Sequence, residues 1–364
     1  MNFNPANIKN LLFGSRETVA FDIGTSNIKY VEVDKKLTTE SEIYIKNFKI
    51  VPTPQDCLLS SYTENPIINP GLLKERIESI AESVHAINRN AILVLYDSTV
   101  IINWLNIPVK PDENLNNLVI EKLSTFLPVA VSEWFIDFQT LEEKNENKVI
   151  ISEAILKKNL FEFGEIFQKA GINLQTIDIS SFNVINIFNK YLSNPENKKK
   201  NIALVNMGNN NTTVMIFKEG ILKNLRNLGV GGKDFTQNIM DAKGLGLEDA
   251  EKYKKEELFF IADETEEQSK IENYNIIKPS FGKLIKGMYD SFDHYLAKFR
   301  EFKIHEIILT GGPANFKNIE KLIFRHLNIP VTVGSEILNI KYNGNDMMKS
   351  DINIFSSAIG ALMR

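Results

Sequence analysis

Thiols, imidazoles and indoles are scarce in this sequence. Its 364 residues include one cysteine, Cys57, four histidines and two tryptophans. A single cysteine excludes an internal disulfide and fits a reducing compartment. No motif around Cys57 marks it as a nucleophile. His85, His294, His305 and His326 have no His, Cys or Asp neighbour at metal-ligand spacing, so each reads as a structural or surface residue. No G-x-S-x-G elbow is present. Trp104 and Trp134 fall in predicted strands and read as core or interface aromatics. No apolar run reaches the ~18 residues that a membrane-spanning helix needs. "MNFNPANIKN" lacks the basic-then-apolar order of a signal peptide, and a cytoplasmic protein is expected. Positive charge is not in excess either. The balance of 42 basic and 46 acidic residues leaves a net charge of −4, which argues against a general nucleic-acid binder.

The chain is long enough for two domains of ~100–200 residues. Residues 17–33, with "TVAFDIGTSNIKYVEV", read as a hairpin. Residues 71–89 carry Leu72, Leu73, Ile77, Ile80, Val84 and Ile87 on one helical face, and "AILVLY" (91–96) is a buried-strand run. Residues 97–171 have their own rhythm. They read as strand "TVIINWLNI", a helix near 112–126, strand "WFIDFQTL", a charged loop "EEKNENK", strand "VIISEAIL" and a helix ending at Gly171. That order makes a small separate sheet with helices on one side. "NPENKKKN" (194–201) reads as a solvated linker. "IALVNM" and "VMIFKEG" form a second hairpin. Helices are expected over 235–260 and 276–302, with an exposed acidic loop, "ADETEEQSKIENYN", between them. "IHEIILTGGPANFKNIEKLIFRHL" reads as strand, glycine turn and helix, and "IFSSAIGALMR" as a short helix with small residues on one side. Near the start, "FNPANIKNLLF" has Ile8, Leu11 and Leu12 at helical spacing and is expected to pack on its own domain.

Three glycine turns stand out. Gly24 and Gly208 each sit in a polar hairpin turn whose backbone N–H groups can face an anion. "LTGGPANF" joins a strand to a helix start, where a flat group can lie on bare backbone and the helix dipole favours negative charge. Each turn alone is a weak signal. Their order is stronger: two halves, each opening with a hairpin, imply a nucleotide held in the cleft between them.

That constellation resembles the actin, sugar-kinase and heat-shock-chaperone ATPase superfamily. "FDIGTSNIKYVEV" resembles its first phosphate loop, "LVNMGNNNTTVMIF" its second, and "IILTGGPANF" its adenosine loop. Within the superfamily the chain is most similar to the PilM family of type IV pilus assembly proteins. The stretches "GVGGKDFTQNIMDAKGLGLEDAEKYK", "FEFGEIFQKAGINLQTIDISSFNVINIF" and "SSAIGALMR" carry this likeness. The inserted block lies where PilM and FtsA carry subdomain IC. FtsA continues into a membrane-binding helix beyond the core helix at which this sequence stops.

The resemblance implies an α/β fold of the actin-like ATPase type, with two lobes. Residues 16–96, 172–200 and 346–364 would form the first core, with 97–171 as its IC-type insertion. Residues 201–234 and 300–345 would form the second core, with 235–299 as a small helical subdomain. It implies ATP and Mg2+ as ligands. Asp22 would orient water around the magnesium. Gly24, Thr25, Ser26 and Asn27 would bracket the terminal phosphates, with Lys29 nearby. Gly208, Asn209, Asn210, Asn211 and Thr212 would close over them from the other half, using backbone N–H groups and the Thr212 and Thr213 hydroxyls. Gly311 and Gly312, followed by Pro313, would lie beneath the adenosine. Gly231 and Gly232 would mark the return into the third subdomain. Lys283 and Lys286 lie on a helix that approaches the nucleoside in this superfamily, but read equally as solvated helix lysines.

Two departures bear on activity. The superfamily's second-loop aspartate corresponds to Asn206. The acid often found near "TIDISSFNVINIF" falls on Ser180 or Ile179, with Asp178 just before. The resemblance therefore implies a scaffold that binds ATP with little or no hydrolysis, at most a weak ATPase. It would dock the cytoplasmic N-terminal tail of a PilN-like membrane protein in a groove between 97–171 and the first lobe. Other pilus or related type II secretion proteins, and further copies of itself, are additional partners of that reading, and it would reach the inner membrane through its partner. An active ATPase or small-molecule kinase, or a filament former of the FtsA or MreB kind, are the alternatives.

Overall fold

The computed structural model describes residues 18–39, 41–110, 113–144, 147–257 and 268–363. The N-terminal "FNPANIKNLLF" segment and residues 262–267 of the acidic stretch lie outside the described residues. The chain divides into two compact units. One takes the described residues up to Glu32 together with Phe48–Ser180, and the other takes Val33–Asn47 together with Ser181–Met363.

In the first unit, β1 (Thr18–Ile23) and β2 (Asn27–Val33) form the expected hairpin, with Asp22 opposite Lys29. Strand β3 (Ile43–Pro52) runs on into this unit. Helix α1 (Pro70–Ser83) starts with Asn69 accepting from the Leu72 N–H and with proline at its first position, where a missing N–H costs nothing. It ends earlier than the apolar spacing predicts. His85 and Asn88 adopt left-handed backbone, φ 56° and 60°, which a helix cannot continue through. Strand β4 (Asn90–Leu95) runs parallel to β1.

Next come β5 (Ile101–Pro108), α2 (Leu115–Ser124), β6 (Trp134–Lys144), β7 (Asn147–Leu156) and α3 (Lys157–Lys169). The three strands make their own antiparallel sheet in the order β5-β7-β6. Most of the presumed loop "EEKNENK" is strand, because β6 and β7 stay paired out to Lys144 and Asn147. Val119 and Leu123 of α2 pack with Leu105, Ile107 and Ile150 over this sheet. Helix α3 does not cover it in the same way. Its Phe167 meets Phe21 of β1 edge-on, centroids 5.4 Å apart. Strand β8 (Asn173–Ile179) pairs parallel to β4 and ends the strand order on that side.

In the second unit, α4 (Ser180–Leu192) leads to β9 (Asn201–Met207), β10 (Thr212–Lys218) and β11 (Ile221–Leu228), an antiparallel meander. Helices α5 (Gly232–Lys243) and α6 (Leu247–Glu256) replace the single helix expected from 235, because Gly244 turns left-handed at φ 65°. Helix α7 (Gln268–Phe299) begins well before 276. Ile271 and Tyr274 continue the spacing of the buried Ile277, Phe281, Leu284 and Met288, so residues 268–275 are helix rather than exposed loop. Pro279 sits inside it.

Strand β12 (Glu306–Thr310) runs parallel to β9, and α8 (Ile319–Leu327) and β13 (Val331–Val333) follow. The sheet order is β11-β10-β9-β12-β13. Strand β14 (Ile340–Tyr342) pairs with the first residues of β3 and with β15 (Asn345–Asp346), and α9 (Lys349–Leu362) closes the described chain. Phe235, Ile239, Phe281, Leu284 and Met288 pack on Val205, Met207, Val214 and Ile216 in one apolar core. Each such buried side chain contributes roughly 1.5–3 kcal/mol.

Candidate functional site: three glycine turns on one sheet end

Strands β9 and β12 lie side by side and parallel, so the turns that follow them emerge at the same end of the sheet. The first is closed by the Gly208 N–H donating to the Asn211 carbonyl at 2.9 Å. The start of α5 clasps it. Gly232 N–H donates to Gly208 O and Lys233 N–H to Asn209 O, each at 2.9 Å. A side chain on Gly231 would put its Cβ 2.4 Å from Asn209 O, and one on Gly311 would put it 2.2 Å from Met207 O. Both distances are inside van der Waals contact, so these backbones touch directly. Pro313 Cγ lies 3.5 Å from the Cβ position of Gly232. Gly208, Gly231, Gly232, Gly311 and Pro313 thus meet in one close backbone contact, with Gly231, Gly232, Gly311 and Pro313 buried and Gly208 and Gly312 left accessible beside them.

Asn206 is half-buried near the end of β9, paired with Thr213 on one side and Thr310 on the other. Asn209 and Asn210 are linked side chain to side chain at 3.4 Å. The Asn210 backbone N–H donates to nothing among the described residues. The threonines differ from expectation. Thr212 and Thr213 are fully or almost fully buried. Thr212 Oγ1 donates to Val230 O at 2.9 Å and Thr213 Oγ1 to Asn227 Oδ1 at 2.6 Å. The Thr212 hydroxyl thus holds β10 to the chain entering α5, and the Thr213 hydroxyl holds it to β11, so both are engaged within the protein. As neighbours on a strand they point to opposite faces, and both faces of β10 are covered, a fact that polarity alone conceals.

The glycine pair after β12 also departs from the expected helix start. A 3-10 turn, Gly312–Asn315, and a left-handed Asn318 intervene before α8, so no long-helix dipole points at Gly311. The turn is fixed from α9 instead. Gly311 N–H donates to Asn353 O at 3.1 Å, and Asn353 Nδ2 donates to Asn315 Oδ1 at 2.7 Å. A second support, missed in the sequence, is Lys254. Its buried ammonium bonds Gly232 O at 3.2 Å, Thr236 Oγ1 at 2.6 Å and Glu251, and burial pulls its pKa down against the pull of Glu251. Only the "AEKYK" spacing, Glu251 and Lys254 on one helix face, hinted at the pair. Lys283 and Lys286 are exposed on α7, and Lys286 pairs with Asp290 at 2.7 Å.

In the first unit, Asp22 is 4% exposed and Lys29 Nζ lies 2.8 Å from its Oδ2. Lys29 thus neutralises Asp22 across the hairpin. Thr53, which carries no sequence signal, stitches the Gly24–Asn27 turn in place. Its Oγ1 donates to Gly24 O at 2.6 Å and its N–H to Ser26 O at 2.9 Å. Asn27 Nδ2 donates to Ser26 Oγ at 3.0 Å. Thr25 sits half-buried within the same turn. Parallel pairing sets Asp22, Val94 and Asp178 in one row across β1, β4 and β8. Two carboxylates therefore share a sheet face about 10 Å apart, two strand spacings. Asp178, the residue just before Ile179 and Ser180, is the one that stands in this row. Among the described residues, no three His, Cys, Asp or Glu side chains come together to hold a metal ion directly.

Two sheets with helices, each opening on a hairpin with a polar glycine turn, and a third strand–glycine turn in the second unit define an actin-like ATPase fold. Solved structures agree. MreB 5 of Spiroplasma citri bound to AMPPNP matches with a TM-score of 0.54 at 12% identity, over 96% of each chain. The ethanolamine utilization protein EutJ from Carboxydothermus hydrogenoformans matches at 0.53 and 12%, over 95% of this chain and 88% of its own. A PilM–PilN type IV pilus biogenesis complex matches with a TM-score of 0.79 at 19% identity, over 94% of this chain and 97% of the other. The family model of the type IV pilus assembly protein PilM spans residues 20–364. The chain belongs to the PilM family.

Proposed function

We propose that this protein is a nucleotide-dependent scaffold of type IV pilus assembly, binding Mg-ATP with little turnover and docking the N-terminal tail of a PilN-like membrane protein. One observation carries the nucleotide part: Gly208, Gly231–Gly232 and Gly311–Pro313 meet at one sheet end, leaving the backbone of Gly208 and Gly312 accessible beside a neutral Asn206. Bare backbone accommodates a nucleotide closely, and turn N–H groups such as that of Asn210 suit phosphate oxygens. The first unit's turn, Gly24 to Asn27, is assigned the terminal phosphates. The donor set fits magnesium through water rather than by direct ligation: Asp22 is a buried carboxylate already balanced by Lys29, and Asp178, the other acid of its row, is two strands away. Bound magnesium would supply charge neutralisation of the phosphates. Asp22 would orient its water shell, and Lys29 would give up or share that carboxylate. Calorimetric titration with Mg-ATP tests the reading. Saturable binding is expected, with turnover far below the ~1 per second of ordinary enzymes. No binding, or turnover near that rate, overturns it.

The tail is assigned to the first unit. There an open groove of about 490 Å3 lies between α3 and β8, lined by Leu160, Phe161, Gly164, Gln168, Ile172 and Leu174. Phe161 is 71% exposed on its rim, and β8 offers a sheet edge along which an extended segment can pair. A segment that orders on docking loses some affinity to that ordering. Held this way, the protein sits at the inner membrane through its partner, and no described helix is long and apolar enough to cross a membrane. Phe161→Asp is expected to weaken binding of a PilN-like tail peptide about tenfold or more, the size of losing one buried aromatic anchor, while Mg-ATP binding is unchanged. Unaltered tail binding would place the dock elsewhere.

A further inference from the structure

At the end of the second unit's sheet opposite the glycine turns, three segments meet: 196–201 before β9, 218–220 after β10, and 298–306 before β12. Several bonds fix the meeting. Asn201 Nδ2 donates to Lys303 O at 2.9 Å, and Asn201 N–H donates to His305 Nδ1 at 2.9 Å. The acids here are matched by cations. Lys199 pairs with Glu196 at 2.7 Å, Lys218 with Glu301, and Lys200 with Glu306 at 3.5 Å. Lys198, Lys298, Arg300 and Lys303 remain, all exposed, against Glu219 alone. A chain of net charge −4 therefore carries a local excess of positive charge at this end. Burial and Lys303 both hold the His305 ring toward its neutral form, in keeping with that field.

Phe302 stands among these cations and is 98% exposed. Arg300 just before it adopts a left-handed conformation, φ 55°, which turns the chain out of α7 and into the loop. The fold gains no burial from this ring. Neighbouring Phe299 is half-buried and packs against Tyr295, centroids 5.0 Å apart.

We propose that this loop is a second, direct membrane contact. The phenyl ring of Phe302 enters the headgroup–acyl boundary, and Lys198, Lys298, Arg300 and Lys303 face anionic lipid headgroups. Flexible lysines around a single protruding aromatic suit a diffuse, laterally fluid anionic surface. A peptide partner asks instead for a groove or a sheet edge, and this loop offers an isolated ring. Strand lengths of five to seven residues put this surface about 20 Å from the glycine turns, so nucleotide binding and membrane contact do not compete. The proposal does not depend on the nucleotide reading. One such contact is weak, and a tail already anchored in the bilayer would raise its local concentration.

The test is flotation of the purified full chain with phosphatidylcholine vesicles, with and without about one-third anionic phosphatidylglycerol. The protein is expected to float with anionic vesicles only, and to release as salt rises. Phe302→Ser and the pair Arg300→Glu with Lys303→Glu are each expected to weaken that binding about tenfold. Thermal unfolding should stay unchanged, since all three side chains are exposed. Tryptophan fluorescence of Phe302→Trp should shift to the blue on anionic vesicles. Absence of binding, equal binding to neutral vesicles, or full binding by the charge-reversed pair would overturn the proposal. So would concentration-dependent self-association in sedimentation that Phe302→Ser abolishes, which would make the surface a contact between copies of this chain.

Discussion

Asn206→Asp is expected to raise the steady-state rate of ATP hydrolysis about 100-fold, while ATP affinity stays within about threefold. The substitution exchanges an amide for a carboxylate of nearly the same shape on a strand held by β10 and β12, so geometry is preserved and charge is the variable. In the proposed reading, binding would rest on backbone donors and phosphate charge, which an amide at 206 tolerates. Cleavage further needs an aligned water and stabilisation of developing charge, and a single preorganised electrostatic contact is worth about 100- to 1,000-fold in rate. Asp22 and Asp178 stand in one row of the first unit's sheet, so under the proposed reading position 206 is the one where a carboxylate would be restored. If the variant binds ATP as well as the unaltered chain and turns it over no faster, the charge at 206 does not limit hydrolysis.

Gly311→Val is expected to lower the thermal midpoint by about 10 °C or more and to abolish nucleotide binding. Two costs add. The backbone there has φ 90° and ψ 172°, a region essentially reserved for glycine, worth about 1–3 kcal/mol for any other residue. The new Cβ would also lie 2.2 Å from Met207 O, and overpacking of that kind costs typically 1–3 kcal/mol or more. At roughly 2–4 °C per kcal/mol for a domain of this size, the two together are large against a total stability of ~5–15 kcal/mol. Gly312→Ala is the control. Its Cβ would meet nothing within 4 Å, and its midpoint should move little. Equal tolerance of both substitutions, read by calorimetry or circular dichroism, would show that β9 and the Gly311 turn are not in the contact described.

Much of this was legible because it is local. The two hairpins, the strand–glycine turn and the separate three-stranded sheet follow from alternation and turn chemistry, which neighbouring residues decide. What was not legible depends on register and distant partners. Thr212 and Thr213 look like ligands in sequence, but they point to opposite faces of a strand that is covered on both, and each bonds a distant partner, Val230 or Asn227. That Asp178 shares a row with Asp22 depends on the pairing of β8 to β4 and β4 to β1, which no local pattern reveals. Thr53, Asn353 and Lys254 support the turns from 29 residues away from Gly24, 42 from Gly311 and 22 from Gly232, and no short-range pattern could name them. The start of α7 was misjudged because the polar, acidic run before 276 looks like loop, whereas Ile271 and Tyr274 keep the spacing of the helix's buried face.

The clasp between the β9 turn and α5 has a mechanical consequence. Gly232 N–H and Lys233 N–H are tied to Gly208 O and Asn209 O without an intervening side chain or loop. Such a joint has almost no slack. A displacement of Gly208 becomes a displacement of the whole helix, whose 12 residues span about 18 Å. A shift of the turn would therefore act as on the short arm of a lever, and Phe235 and Ile239, buried along α5, would carry it into the apolar core that α5 shares with α7.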